Sequence, residues 1–501
     1  MSTIKKLAGQ TLWYGVPTIV SRFLGYLMNL SLPFLFAQAA TTADLAQVYA
    51  IIPFLNVLFT YGLETAYFRF AQEEDREKLY STLSISLIGS TLLFTAVLLL
   101  FRDAIIDLAG LERHPEYITW MCWILFFDTL ATLAFARLRL ENRPRKYAFV
   151  RVAGVIVNIL VVILFLGIIP RYLETNPDGP LSLIYNADDP IRYYLLGNLC
   201  GSVFVFLLLW KEFRGIRLVF DKKLWGKVLQ YSYPLILVGM GGMVNDMLSR
   251  LVYRHVVDLP VAEADKELGI FANLYRLAVL VTIMIQAFRM AAEPFFFNSS
   301  KEDNVQKKYA RVMKFFVIAC CFMFLGIGLY RDVLQAIITL KSDEWGEGIY
   351  IVPLLAMGNI FLGIYYNLSI WYKLTNKNLY GAWITLGGAV ITIGLNWLLI
   401  PGLHYLGAAL ATFVCYLFMM VVSYKLGQKY YPVPYAKKKL LAYLVLVTLI
   451  YLLHRGLLMI WDNIWFSAGT GTLLLLIFGW FITLTERKEL QRIPVLNKLV
   501  R

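Results

Sequence analysis

The chain holds 501 residues, 59% of them hydrophobic and 16% charged, with a formal net charge of +14 and a mean hydropathy of +0.63. Soluble domains carry roughly 45–50% apolar residues, so this composition excludes a soluble enzyme and predicts a polytopic α-helical membrane protein. About 14 apolar runs are long enough to cross a bilayer, and they leave roughly 14 residues for each connection. No independent soluble domain fits in that remainder.

In chain order the expected spans lie near 11–36, 46–68, 79–101, 116–136, 148–169, 193–212, 228–252, 269–289, 311–332, 348–372, 380–400, 405–425, 438–454 and 463–484. With the N-terminus inside, the inner segments collect Lys5 and Lys6, Arg76 and Lys78, the run Arg143-Pro144-Arg145-Lys146, Lys222 and Lys223, Lys307 and Lys308, Lys437 to Lys439, and Arg487 and Lys488. About 35 Lys and Arg then fall inside and about 9 outside, which places both termini in the cytoplasm. The excess positive charge is therefore a topology signal resting on anionic lipid headgroups, and no nucleic-acid partner is expected.

The start of the chain imitates a secretory signal, with Lys5 and Lys6 before an apolar stretch and Ala37-Gln38-Ala39 after it. The stretch is too long and carries Arg22, so it reads as an uncleaved first helix. Cys122, Cys200, Cys320, Cys321 and Cys415 all fall inside expected spans, as packing residues rather than a disulfide framework or metal ligands. His114, His255, His404 and His454 fall at expected outer helix ends, where interfacial placement explains them better than metal binding.

Three matches in order suggest an internal duplication. Leu12-x-Tyr14-x-x-Pro17 returns as Leu229-x-Tyr231-x-x-Pro234, the Tyr49 to Leu58 stretch resembles Phe271 to Leu280, and Tyr147, Gly154 and Val157 correspond to Tyr380, Gly387 and Val390. Six helices per repeat is an even number, so both lobes enter from the same side and are related by an axis along the membrane normal. The expected units are 1–213, 214–427 and a last pair of helices with a tail in 428–501.

Trp371 to Lys377 leading to Tyr380-Gly381-Ala382, the run Tyr405 to Thr412, and Gln428-Lys429-Tyr430-Tyr431-Pro432 resemble bacterial polysaccharide-transport, O-antigen-type flippases of the multidrug/oligosaccharidyl-lipid/polysaccharide exporter superfamily. The resemblance covers essentially the whole chain through loose helix signatures. It implies two six-helix lobes plus two helices in the bacterial inner membrane. The implied activity is translocation of an undecaprenyl-diphosphate-linked oligosaccharide for lipopolysaccharide or other polysaccharide biosynthesis. The implied partners are that lipid-linked oligosaccharide and membrane lipids.

Intramembrane ionisable residues are costly and face a cavity or a partner. Arg22 lies roughly 16 Å into the first span, on a small and polar stripe with Thr18, Ser21, Gly25 and Asn29. Asn245, Asp246 and Arg250 share a face of the seventh span, and Asn273 and Arg276 lie in the eighth. The resemblance puts the first spans of both lobes along a central cleft. Arg22, Arg250 and Arg276, with Asn29, Asn245 and Asn273, are thus the expected substrate-binding set, since a guanidinium can hold two diphosphate oxygens. The bland alternatives are neutralisation of Asp246 by Arg250 at i,i+4, snorkelling of Arg250, and a salt bridge from Glu64 or Asp128 to a lobe arginine. Glu64, Asp128 and Asp246 are the candidates for proton or sodium coupling, which the mechanism permits but does not require; no cofactor or metal is expected. Pro17, Pro53 and Pro234 are either alternating-access hinges or static kinks.

The rivals are a peptidoglycan lipid-precursor flippase, a drug/cation antiporter and a membrane glycosyltransferase or polymerase. The antiporter usually has fewer spans and a cavity dominated by carboxylates. The enzyme needs a catalytic loop, whereas Asn176-Pro177-Asp178-Gly179 in the long outer segment reads as a turn.

Overall fold

The computed structural model describes residues 20–21, 23–141, 143–298, 304–375 and 377–491. Arg22 and Pro17 lie outside the described residues. The protein is all-helical, with no strand among the described residues. Among the described residues eleven helices are long and apolar enough to cross a membrane, and Phe23–Leu35 (α1) and Arg192–Leu208 (α7) are shorter apolar helices. The remaining elements used below are α2 (Ala43–Thr60), α3 (Leu63–Phe70), α4 (Arg76–Leu100), α5 (Glu116–Leu140), α6 (Pro144–Ile163), α8 (Lys222–Val256), α9 (Val261–Asn298), α10 (Val305–Leu329), α11 (Val352–Leu368), α12 (Asn378–Tyr430), α13 (Lys437–Leu458) and α14 (Ile464–Thr485).

Local chemistry sets the helix ends. Asp75, Asp221 and Asn463 accept backbone N–H groups at the starts of α4, α8 and α14, satisfying donors that would otherwise lack partners. The expected second span is interrupted: Tyr61 (φ 31°) and Gly62 (φ 73°) adopt left-handed backbone between α2 and α3. A Cβ at Gly62 would stand 3.2 Å from Leu235, so α8 packs directly on this break. Pro53 and Pro234 sit inside continuous helices. Before Pro170 the fifth expected span slips into a π-turn over Leu164–Ile168, a register change that accommodates the missing N–H. The eleventh and twelfth expected spans lie in α12, broken at His404 (φ 54°, ψ −134°) just after Pro401.

Helices α2 to α7 pack on one another, and so do α8 to α12. Small residues bring α6 and α7 together: a Cβ on Gly201 would be 2.7 Å from the Gly154 carbonyl, and one on Gly197 2.6 Å from Asn158 Oδ1. Lipid offers apolar side chains no solvophobic drive to associate, so close backbone approach of this kind carries the packing. The two sets meet chiefly where α2 lies on α8 and α9. Helices α13 and α14 pack on α10 and on each other.

Of the cysteines, Cys122, Cys320, Cys321 and Cys415 are buried, Cys200 is half-buried, and all five are free thiols. His454 is fully buried and bonds the Ser467 carbonyl (3.1 Å), so it joins α13 to α14 rather than sitting at a wet interface. His404 pairs with Glu267 at 3.1 Å.

Candidate functional site

A cavity of about 990 Å³ opens among α2, α3, α5, α6 and α7, with Met243 from α8 and Gln286 and Arg289 from α9. Its size is at the top of the usual range for small-molecule sites, about 300–1,000 Å³. Pro53, Asn56 and Thr60 line it from α2, Asp128 and Thr132 from α5, Asn158 from α6, and Asn198 and Ser202 from α7. Three arginines enter it. Arg151 is exposed into the cavity and lies 4.7 Å over the Phe135 ring. Arg289 lies 4.1 Å over Tyr366 of α11. Arg139 is paired with Glu64, and Phe68 lies 4.8 Å under its guanidinium. Asp128, deep between helices, is nevertheless exposed because the cavity reaches it; Ser202 and Arg151 are the groups that act on its carboxylate. Cations thus outnumber carboxylates in the lining, and each of the three arginines lies over an aromatic face.

The cavity occupies the half of the bundle that contains the α2–α3 break and the end of α5. The opposite half is shut by bonds between the two helix sets. Arg254 of α8 donates to Asp44 of α2 (2.5 Å) and to the Gly110 carbonyl (2.7 Å), and pairs with Asp265 at 2.7 Å. Arg113 also pairs with Asp265, at 2.9 Å. Glu344 accepts the Ala39 N–H, and the Trp345 indole donates to the Phe36 carbonyl. Gly269 of α9 sits so close that a Cβ there would lie 2.1 Å from the Ala39 carbonyl oxygen. Only glycine permits that crossing.

The expected site residues divide between these regions. Glu64 and Asp128 line the cavity and Pro53 is on its wall. Arg250 lies at the sealed boundary, 4.5 Å over Tyr275, 3.9 Å from Asp246 and bonded to the Asp246 carbonyl, so the two charges do face each other along the helix. Asp246 also accepts the Tyr275 hydroxyl (2.5 Å). Asn245 is buried against α12, donating to the Thr385 carbonyl (3.1 Å). Asn29 accepts from Tyr194 (2.9 Å). Asn273 is fully buried, and neither of its amide atoms has a hydrogen-bond partner among the described residues; Arg276 Nη1 and Gln47 Oε1 are in the same state. Tyr49 and Tyr194 lie within electrostatic reach of Arg276. Pro234 lies at the α8 contact with the α2–α3 break.

Arg139, Arg151 and Arg289 are not in the expected set. Arg151 carried a usable signal, since it stands within the fifth expected span; the other two lie at expected span ends, where positive charge reads as topology.

The described residues form a polytopic helical bundle with a cavity open at one side and ion pairs closing the other. No family model and no curated protein matches the chain. Among solved structures it is similar to the lipid II flippase MurJ in an inward closed conformation, with a TM-score of 0.71 at 15% identity over 95% of this chain and 99% of that one. It is also similar to a multidrug resistance MATE family transporter of the MOP superfamily, inward-facing (TM-score 0.64, 12% identity, 84% of this chain and 97% of that one) and outward-facing (0.57, 13%, 84% and 95%). The chain has the fold these transporters share.

Proposed function

We propose that the protein flips a diphosphate-linked, lipid-anchored oligosaccharide from the cytoplasmic to the periplasmic leaflet of a bacterial inner membrane by alternating access. The observation that carries this reading is the arginine-lined cavity on one side of a bundle whose other side is closed by Arg254, Asp44 and Asp265. On the charge-derived topology the cavity faces the cytoplasm. Arg139, Arg151 and Arg289 attract the diphosphate, Asn56, Asn158, Asn198 and Thr132 offer hydrogen bonds to sugar hydroxyls, and the polyprenyl chain stays in lipid. The units 1–213 and 214–427 then rock about the α2–α8–α9 boundary, flexing at Gly62 and Pro234. Outward movement of an anionic headgroup gains up to about 2.3 kcal/mol per charge per 100 mV when the inside is negative. Glu64 is held by Arg139, so Asp128 is the better placed carboxylate for any coupling ion.

A peptidoglycan lipid-precursor flippase is the second reading, favoured by the likeness to the lipid II flippase along almost all of both chains. Reconstitution into vesicles separates the two: an undecaprenyl-diphosphate oligosaccharide and lipid II are each scored for exposure on the opposite leaflet. Movement of neither, with efflux of organic cations instead, would favour the antiporter.

A further inference from the structure

A second group of ligating side chains lies beside the closed side, outside the cavity. His114 precedes α5, Glu116 opens it, and Asp189 comes from the segment before α7. One donor atom from each lies within 4.8 Å of the others. His114 Nδ1 is 3.5 Å from Asp189 Oδ2 and 3.8 Å from Glu116 Oε1. Tetrahedral zinc with bonds of about 2.1 Å needs donors roughly 3.4 Å apart, so both separations from His114 are near the required spacing. Two contacts hold them there. The His114 ring stacks on Tyr117 at 4.8 Å, with the planes 10° apart. The Tyr117 hydroxyl donates to Asp189 Oδ1, which leaves Oδ2 buried without a hydrogen bond, on a residue only 7% exposed. His114 and Glu116 are 28% and 33% exposed, so an ion can enter from solvent. Arg192 is the resident competitor, 3.5 Å from both carboxylates.

We propose that His114, Glu116 and Asp189 bind a divalent transition ion of the zinc class, and that the ion stabilises the closed side. An ion on Nδ1 leaves the proton on Nε2 of His114, and that nitrogen lies 4.0 Å from Asp44 Oδ2. A ligating histidine commonly donates its other N–H to a carboxylate. Here the carboxylate is the one that receives Arg254, so a shift of about 1 Å on ion binding would bring this N–H within hydrogen-bond reach of Asp44 and fix the acceptor of the closing bond.

The test is calorimetric titration of the purified, EDTA-treated full chain with zinc alone. One saturable equivalent is expected, weakened at least tenfold in Glu116→Gln, His114→Ala and Asp189→Asn, and tightened in Arg192→Gln, where the competing cation is gone. Glu116→Gln alters the most exposed ligand and keeps the test valid if the buried Asp189→Asn variant fails to fold. Absence of saturable binding in wild type, or equal binding in Glu116→Gln, overturns the site. Spin labels at Thr41 and Glu263 read the coupling: zinc should narrow their distance distribution in wild type and not in Asp44→Asn. Binding without that narrowing overturns the link to the closed side.

Discussion

Arg254 and Asp44 are joined across the boundary between the two helix sets at 2.5 Å, with only 9% and 11% of their side chains exposed. The cation comes from α8 and its acceptor from the start of α2, so the bond exists only while the two sets are in contact. Removing one partner of a buried pair costs about 3 kcal/mol or more, on the order of a hundredfold in the closed-to-open ratio. Arg254→Gln should therefore lengthen the Thr41 to Glu263 distance measured by paired spin labels. A distribution identical to wild type would show that the remaining contacts close this side without the ion pair.

Gly269 tests the same closure by sterics rather than charge. A methyl group placed 2.1 Å from the Ala39 carbonyl oxygen cannot be accommodated unless α9 and the turn that precedes α2 separate. Gly269→Ala should hold the side open and reduce transport with little loss of helicity. Wild-type transport by this variant would mean that the crossing relaxes without cost.

Charge in the cavity makes a third prediction. Arg151→Gln should lower transport at least tenfold, because it removes an exposed cation while leaving the Phe135 contact largely intact. Arg139→Gln strands Glu64 and should cost stability as well as transport. Equal transport by wild type and Arg151→Gln would remove that arginine from the substrate path. Sidedness is checked separately: cysteines at the exposed positions Asn176 and Asn304 should label from opposite faces of the membrane.

Glu486, just beyond α14, ties the last two helices to α10. Burial raises its pKa, but hydrogen bonds from Lys314, Lys439 and Tyr443 outweigh that and hold the carboxyl below the usual range. A depressed carboxylate pKa adds stability that is present above its unfolded value and lost as pH falls through the folded one. Thermal stability should therefore fall below about pH 4.3, with a smaller fall in Glu486→Gln, which is already destabilised by about 3–5 kcal/mol. An unchanged melting temperature in that variant would mean the cluster is solvated in the membrane.

Hydropathy made the all-helical membrane fold legible, because a span must satisfy its backbone internally and so reads as one long apolar run. The kinks were less legible. Pro53 and Pro234 stay within helices, while the break falls at Tyr61 and Gly62, where left-handed backbone is stabilised by packing on Leu235 rather than by any local proline. Of the residues that intramembrane charge singled out, Glu64 and Asp128 line the cavity, while Arg250 packs over Tyr275 beside Asp246. Depth along a helix can be counted from sequence, but which side of the bundle is open depends on long-range contacts such as Ala39 with Glu344 and Gly269. Arg139 and Arg289 of the open side went unread because they stand at the ends of expected spans, where a positive residue has an ordinary topological explanation; the helix that carries Arg289 in fact runs on to Asn298.

Asn273 supplies a prediction in which stability and function move in opposite directions. Its amide is fully buried with no hydrogen-bond partner among the described residues, and an unsatisfied buried polar group costs about 1–3 kcal/mol. Gln47 Oε1 and Arg276 Nη1 share that condition, and the helices that carry them, α2 and α9, separate if the closed side opens. Polar groups that gain nothing in this state become useful once the boundary parts and a phosphate or sugar can reach them. Asn273→Leu keeps the volume and removes the penalty, so it should raise the melting temperature of the purified protein while lowering transport, and Asn273→Gln should retain more transport than the leucine variant. A leucine variant that is more stable and transports normally would reduce Asn273 to a packing flaw. One that is less stable would show that the amide has a partner in the membrane-embedded protein.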